Sequence, residues 1–186
     1  TVQPVAEIGA IAEEYGIPFH TDAVQVVGHL PIHVGKQKID ALSASAHKFS
    51  GPKGVGFLYV SENIPVKNLI FGGGQEQGMR AGTENVARII GMGKAMERAV
   101  QNMEQNRLRQ MQLRDYLIRR IQAEIPDVHL NGHRLYRLPN NINLSFRYVN
   151  GASLLVLLDM EEIWASGGSA CSSSSPKASH VIEALH

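Results

Sequence analysis

Three short apolar runs, at residues 17–22, 39–45 and 54–60, constrain the fold more than any other feature of this sequence. Each is too short for a buried helix and is bounded by glycine, proline or polar residues, as a buried strand is. Ahead of the first, Val5, Ile8, Ile11 and Ala12 recur at helical spacing; Pro4 suits the first helical position, and Gly16-Ile17-Pro18 stops the pattern. Helices mixed with strands predict an α/β sheet, where ligands collect outside the strand ends. Asp22 ends the first run, and the second ends near His47 and Lys48.

Residues 72–82 are glycine-rich and polar, which predicts an extended loop and not a core element. Residues 85–124 are helix formers with apolar positions near helical spacing until Pro126 interrupts, so this stretch is expected to bridge two domains. We set the division within it, as residues 1–100 and 101–186. Beyond the helix, 141–146 alternates as a half-exposed strand does and 152–160 reads as a helix, giving a smaller α+β domain.

Composition narrows the partners. With 44% hydrophobic and 19% charged residues in 186, the chain can bury a core as an ordinary globular protein does. Lys+Arg 18 against Asp+Glu 17, with no basic run interleaved with aromatics, argues against nucleic acid. Apolar stretches such as 154–158 fall far short of the roughly 20 residues of a membrane span, so none is expected. One cysteine, Cys171, cannot form an internal disulfide and fits a reducing compartment, the cytoplasm or an organelle matrix. The absence of an initiator Met and an end within the apolar-periodic stretch 181–185 read as a fragment.

Three constellations carry chemistry. The first is Ser45-Ala46-His47-Lys48, followed by Gly51-Pro52-Lys53-Gly54. A lysine amine at a strand end, close to hydroxyl and imidazole donors, is what a Schiff-base site for an anionic aldehyde cofactor requires. A solvated loop lysine is commoner, but Asp22 at a neighbouring strand end shifts the balance, because a carboxylate there pairs with a protonated pyridine nitrogen. Alone, Asp22 reads as a cap or turn residue. The second is Cys171 within the Gly- and Ser-rich residues 165–173, a surround that favours a reactive exposed thiol over a buried structural one. A metal site is weaker still, with no second cysteine and eight scattered histidines. The third is residues 72–83, where glycines, Arg80 and Thr83 could wrap an anion or simply form a surface loop.

His20-Thr21-Asp22-Ala23-Val24-Gln25, Ser45-Ala46-His47-Lys48, the stretch from Gly72-Gly73-Gly74-Gln75-Glu76 to Gly82-Thr83, and Ser169-Ala170-Cys171 occur in one order. Together they resemble the cysteine desulfurases, fold-type I enzymes dependent on pyridoxal 5'-phosphate. The resemblance is to the group that feeds iron–sulfur cluster assembly, not the sister group shared with selenocysteine lyases. It implies part of a large domain with a mainly parallel sheet, then part of a small α+β domain. Lys48 becomes the Schiff-base lysine and the base that moves the α-proton. Asp22 meets the pyridine nitrogen, Gln25 the ring hydroxyl, and Ser45 and His47 the phosphate. Thr83 reaches the phosphate of a partner subunit, implying a homodimer. Cys171 takes sulfur from L-cysteine as a persulfide, leaving alanine, and its loop swings to hand the sulfur to an acceptor or iron–sulfur scaffold protein. The family's phosphate-binding loop, its ring-stacking histidine and the arginine that grips the substrate carboxylate have no counterpart in this chain. Gly168 and Ser172 depart slightly from the usual loop wording. Two other readings remain: another fold-type I enzyme such as an aminotransferase, which has no need of Cys171, and a non-catalytic fragment.

Overall fold

The computed structural model describes residues 1–62, 64–168 and 180–184, and the chain divides into two compact units, Val2–Met111 and Gln112–His186 with Thr1. No helix among the described residues is long and apolar enough to cross a membrane.

The first unit opens with helix α1, Val5–Glu14, with Pro4 at its N-cap and not inside the first turn. It stops as its sequence predicts. Gly16 adopts φ +64, its N–H donates to Glu13 O at 3.1 Å, and the Ile17 N–H donates to Ala12 O at 2.8 Å. This paired closure needs a left-handed residue just past the helix, a conformation that costs glycine nothing. The chain then enters β1, His20–Asp22, which pairs parallel to β2, Ala41–Ser45. β3, Gly56–Val60, pairs antiparallel to β2 with Ser45 opposite Gly56, so the three-stranded sheet has order β1-β2-β3 and is mixed. Hydrophobic periodicity marks a strand without reporting its direction, and for β3 the short connection from β2 allows the antiparallel return.

Alternation along β2 sorts its two faces. Leu42 and Ala44 are buried, whereas Ala41, Ser43 and Ser45 are half-buried. The buried face joins Ala23, Val27, Ile39, Ala46 and Phe49 in the core of this unit, which Met92, Ala95, Met96 and Ala99 of α2, Val86–Gln101, help to cover. The polar face is left for chemistry.

β3 approaches β2 closely at Gly56, where a Cβ would lie 2.3 Å from the Ala44 carbonyl oxygen. Backbone cannot yield there as a flexible side chain would. Gly56→Ala is therefore expected to destabilise the protein by about 1–3 kcal/mol, whereas Gly35→Ala should stay within about 0.5 kcal/mol. Gly35 has nothing within 4 Å of its Cβ position. Denaturant melts of the two variants check this, and equal midpoints would contradict the packing.

The helical stretch expected over 85–124 is two helices, α2 and α3, Met103–Glu124, with Asn102 between them. The Asn102 N–H and its side-chain amide both donate to Arg98 O, at 3.1 and 2.9 Å, a local bond that competes with helix continuation. The boundary between the two compact units lies within α3.

The second unit pairs β4, Val128–Leu130, antiparallel with β5, Leu144–Phe146. Helix α4, Gly151–Met160, follows with Asn150 as its N-cap, whose Oδ1 accepts the Ser153 N–H at 3.0 Å. A short helix α5, His180–Glu183, is the last element described. The strand expected over 141–146 is only its second half. Asn143 still keeps ladder-like contacts, its carbonyl accepting the Asn131 N–H at 3.0 Å. Arg137 is buried and donates to three carbonyls, Asn131 O at 2.6 Å, His133 O at 3.1 Å and Asn141 O at 3.3 Å. Burial, and next the Arg114 charge, push its pKa below the ordinary arginine value, with Asp115 acting oppositely. These bonds answer for backbone groups that no strand satisfies.

Candidate active site

Because β1 and β2 run parallel, their C-terminal ends lie at one edge of the sheet, and the register sets Asp22 beside Ser43. Side chains paired in register share a face. The His20 Nε2···Ser43 Oγ hydrogen bond of 2.8 Å shows that His20 and Ser43 do. By the period of two, Asp22 and Ser45 stand on that same polar face, opposite the buried Leu42 and Ala44.

Asp22 is exposed, and its Oδ1 accepts the Val24 N–H at 2.9 Å. Among the described residues Oδ2 has no partner, so the carboxylate can still meet a cation. Gln25 follows in the turn beyond β1, exposed and with its amide unpaired among the described residues. Beyond Ser45 the chain tightens into a 3₁₀ turn, Ala46–Phe49, closed by the N–H groups of Ser50 and Gly51 on Ala46 O. Ala46 and Phe49 are buried, which anchors the turn and leaves His47 exposed and Lys48 half-buried. The turn must stay small at Gly51, where a Cβ would lie 2.9 Å from both the Cβ and the carbonyl oxygen of Ala46.

Ser45 Oγ and His47 Nδ1 share a hydrogen bond of 2.8 Å. If the hydroxyl donates, a neutral imidazole carries its proton on Nε2; if Nδ1 donates, the hydroxyl proton is released. Either way the pair keeps one donor for an anion. The Lys48 amine has no hydrogen-bond or ion-pair partner among the described residues, so it is open to a carbonyl. Asp22, the hydrogen-bonded Ser45–His47 pair and Lys48 therefore all stand at or just beyond the C-terminal ends of β1 and β2, along one edge of the sheet. That donor set fits a ligand bearing a cationic ring nitrogen, an anionic group and an aldehyde.

Two other sequence candidates fare differently. Thr83 is exposed, three residues before α2, and among the described residues no hydrogen bond or ion pair joins it to Lys48. The loop before it is folded on itself and not extended: it contains a 3₁₀ turn, Glu76–Gly78, and Gln75 Oε1 accepts the Gly82 N–H at 3.1 Å. Gly78 N–H donates to Gln75 O at 2.9 Å, Arg80 Nη1 to Ala81 O at 2.7 Å, and Asn68 Nδ2 to Gly78 O. Those donors are used within the loop. Cys171 lies outside the described residues. Ser43 was not a sequence candidate, although the alternation that singles out Ser45 also points to it.

The profile of the aminotransferase class-V family matches residues 1–185. The chain is 56% identical over 186 residues to cysteine desulfurase IscS of Dictyoglomus turgidum, covering 100% of this chain and 47% of that protein. Cysteine desulfurase IscS of Methanosarcina thermophila is 52% identical over 184 residues, 99% of this chain and 45% of that one. The chain thus spans about half the length of the curated relatives it matches. Among solved structures, a NifS-like protein superposes with a TM-score of 0.85 at 35% identity, over 98% of this chain and 49% of its own. SspA in complex with cysteine gives 0.69 at 34% identity, over 100% and 50%. With its fold, its site edge and this match along the whole length, the chain belongs to the aminotransferase class-V family.

Proposed function

We propose that the protein carrying this chain is a pyridoxal 5'-phosphate-dependent cysteine desulfurase. The observation that carries the reading is the gathering of Asp22, Ser45, His47 and Lys48 at one sheet edge, in a chain 56% identical to a cysteine desulfurase. In this reading Lys48 holds the cofactor, Asp22 pairs with its ring nitrogen, Gln25 meets its ring hydroxyl, and Ser45 and His47 take its phosphate. Thr83 serves the phosphate of a partner subunit, which makes the whole enzyme a homodimer. When bound, the cofactor supplies an electron sink next to the substrate amine.

The chain's own residues then divide the work. Once displaced from the cofactor, the Lys48 amine removes the substrate α-proton and returns a proton later. The Cys171 thiolate attacks the sulfur of L-cysteine; an S–S bond forms, the substrate C–S bond breaks, and the electron pair of that bond ends in a new C–H bond of alanine. The sum is cysteine plus thiol giving alanine plus persulfide, with no outside oxidant. The structure of SspA with cysteine supports this choice of substrate. A sulfur-acceptor or iron–sulfur scaffold protein then takes the sulfur, in the cytoplasm or an organelle matrix.

Incubating the full-length, cofactor-loaded protein with L-cysteine is expected to yield alanine and protein-bound persulfide in equal amounts in the first turnover. Alanine quantification and mass spectrometry of the protein measure both. Amino transfer to a keto acid without persulfide would assign the protein to the aminotransferases of the family instead.

A further inference from the structure

We propose that His29 is a positioning residue for Lys48, a role that rests on the reading of Lys48 above. Lys48 is the third residue of the four-residue turn Ala46–Phe49. Carbonyls in the last turn of a helix lack intrahelical partners. Ala46 O takes both closing N–H groups, and Lys48 O is met from outside the turn by His29 Nε2 at 3.2 Å, in a partly buried setting. A carbonyl only accepts, so Nε2 is the protonated nitrogen of this ring.

His29 is itself held in place. Its N–H donates to Val26 O at 2.9 Å, and Gly28 before it has φ +82. A Cβ on Gly28 would lie 2.9 Å from Phe49 Cβ and 3.1 Å from Ala99 Cβ, so the 28–29 backbone is pressed against the residue that follows Lys48. The same segment starts at Asp22: the Ala23 N–H donates to Ser43 O at 3.0 Å, Val26 and Val27 donate to Ala23 O, and six residues after Ala23 the chain delivers His29 to Lys48 O. One strap therefore joins the carboxylate at the end of β1 to the backbone of the lysine turn. Asp22 and Lys48 must address opposite parts of one ring, and the strap ties their separation to a single local fold. The Lys48 amine has no partner among the described residues, so its starting point is set by its backbone. A drift of about 1 Å in such a group can cost on the order of a hundredfold in rate.

The test uses the full-length protein with His29→Leu, which removes the donor at similar volume, and His29→Gln, whose amide nitrogen lies as many bonds from Cα as Nε2. Without cofactor, amide exchange of residues 46–51 should be about tenfold faster in His29→Leu and near wild type in His29→Gln. With pyridoxal phosphate added, the rate of borohydride-trappable attachment to Lys48 should fall about tenfold in the leucine variant and recover in the glutamine one. Unchanged exchange and attachment in His29→Leu would overturn the proposal. If His29→Leu does not fold, His29→Asn replaces it: its shorter amide cannot reach Lys48 O, and attachment as fast as in His29→Gln overturns the proposal equally. A wild-type label on another lysine would instead overturn the reading of Lys48, and the exchange rates distinguish that failure from this one.

Discussion

Lys48→Ala in the full-length protein is expected to abolish covalent attachment of pyridoxal phosphate and to lower turnover of L-cysteine by on the order of a thousandfold or more. Lys53→Ala should leave both near wild type. The two lysines are five residues apart and differ in setting. Lys48 is half-buried in a turn clamped by buried Ala46 and Phe49, at the edge that also carries Asp22 and Ser45. Lys53 is exposed in the turn leading to β3. If the Lys48 amine is both anchor and base, as proposed, alanine substitutes for neither and both functions should fail together. Because the Lys48 amine has no partner among the described residues, its removal breaks no bond there, and stability should change by no more than about 0.5 kcal/mol. Loss of activity then reports chemistry, not unfolding. Borohydride reduction followed by peptide mapping checks the assignment, and a label on Lys53 or any other lysine would overturn it.

Much of this site is legible in the sequence because it sits on regular elements. Period-two alternation in β2 and the position of Asp22 at the end of β1 require only that two strands run side by side. The Gly16 stop of α1 is equally local, a left-handed residue at the place where a helix needs one. What escapes the sequence is whatever depends on distant partners. β4 is three residues long and too short to show a period, so only its pairing with β5 defines it. Asn102 interrupts a strongly helical composition by bonding back to Arg98, and the surrounding periodicity conceals it. The internal bonds of Gln75, Gly78 and Arg80 fold residues 72–82 on themselves, and a glycine-rich composition that reads equally as an anion-wrapping or a surface loop gives no sign of them. His29 offers no motif at all; its contact with Lys48 O spans 19 residues and appears only in three dimensions.

Cys171→Ala is expected to stop persulfide formation and sulfide release from L-cysteine, a loss on the order of a thousandfold or more, while attachment of the cofactor to Lys48 stays unchanged. In the proposed reading Lys48 and Asp22 would serve any reaction that needs an electron sink beside an amine, so they would hold the cofactor without choosing a reaction. The choice lies with the group that attacks sulfur. Only a thiolate can accept the substrate's sulfur as a persulfide and later pass it on, and this chain has a single cysteine. Cys171→Ser separates chemistry from packing: it keeps nearly the same size but replaces the attacking sulfur by a hydroxyl, so it should be as inactive as the alanine variant. In the wild-type enzyme, L-cysteine should add one sulfur to the Cys171 peptide, and prior alkylation should block sulfide release while borohydride still fixes the cofactor to Lys48. Sulfide release that survives both substitution and alkylation would leave the cofactor site standing and require a different nucleophile, or a reaction in which the substrate expels its sulfur unaided.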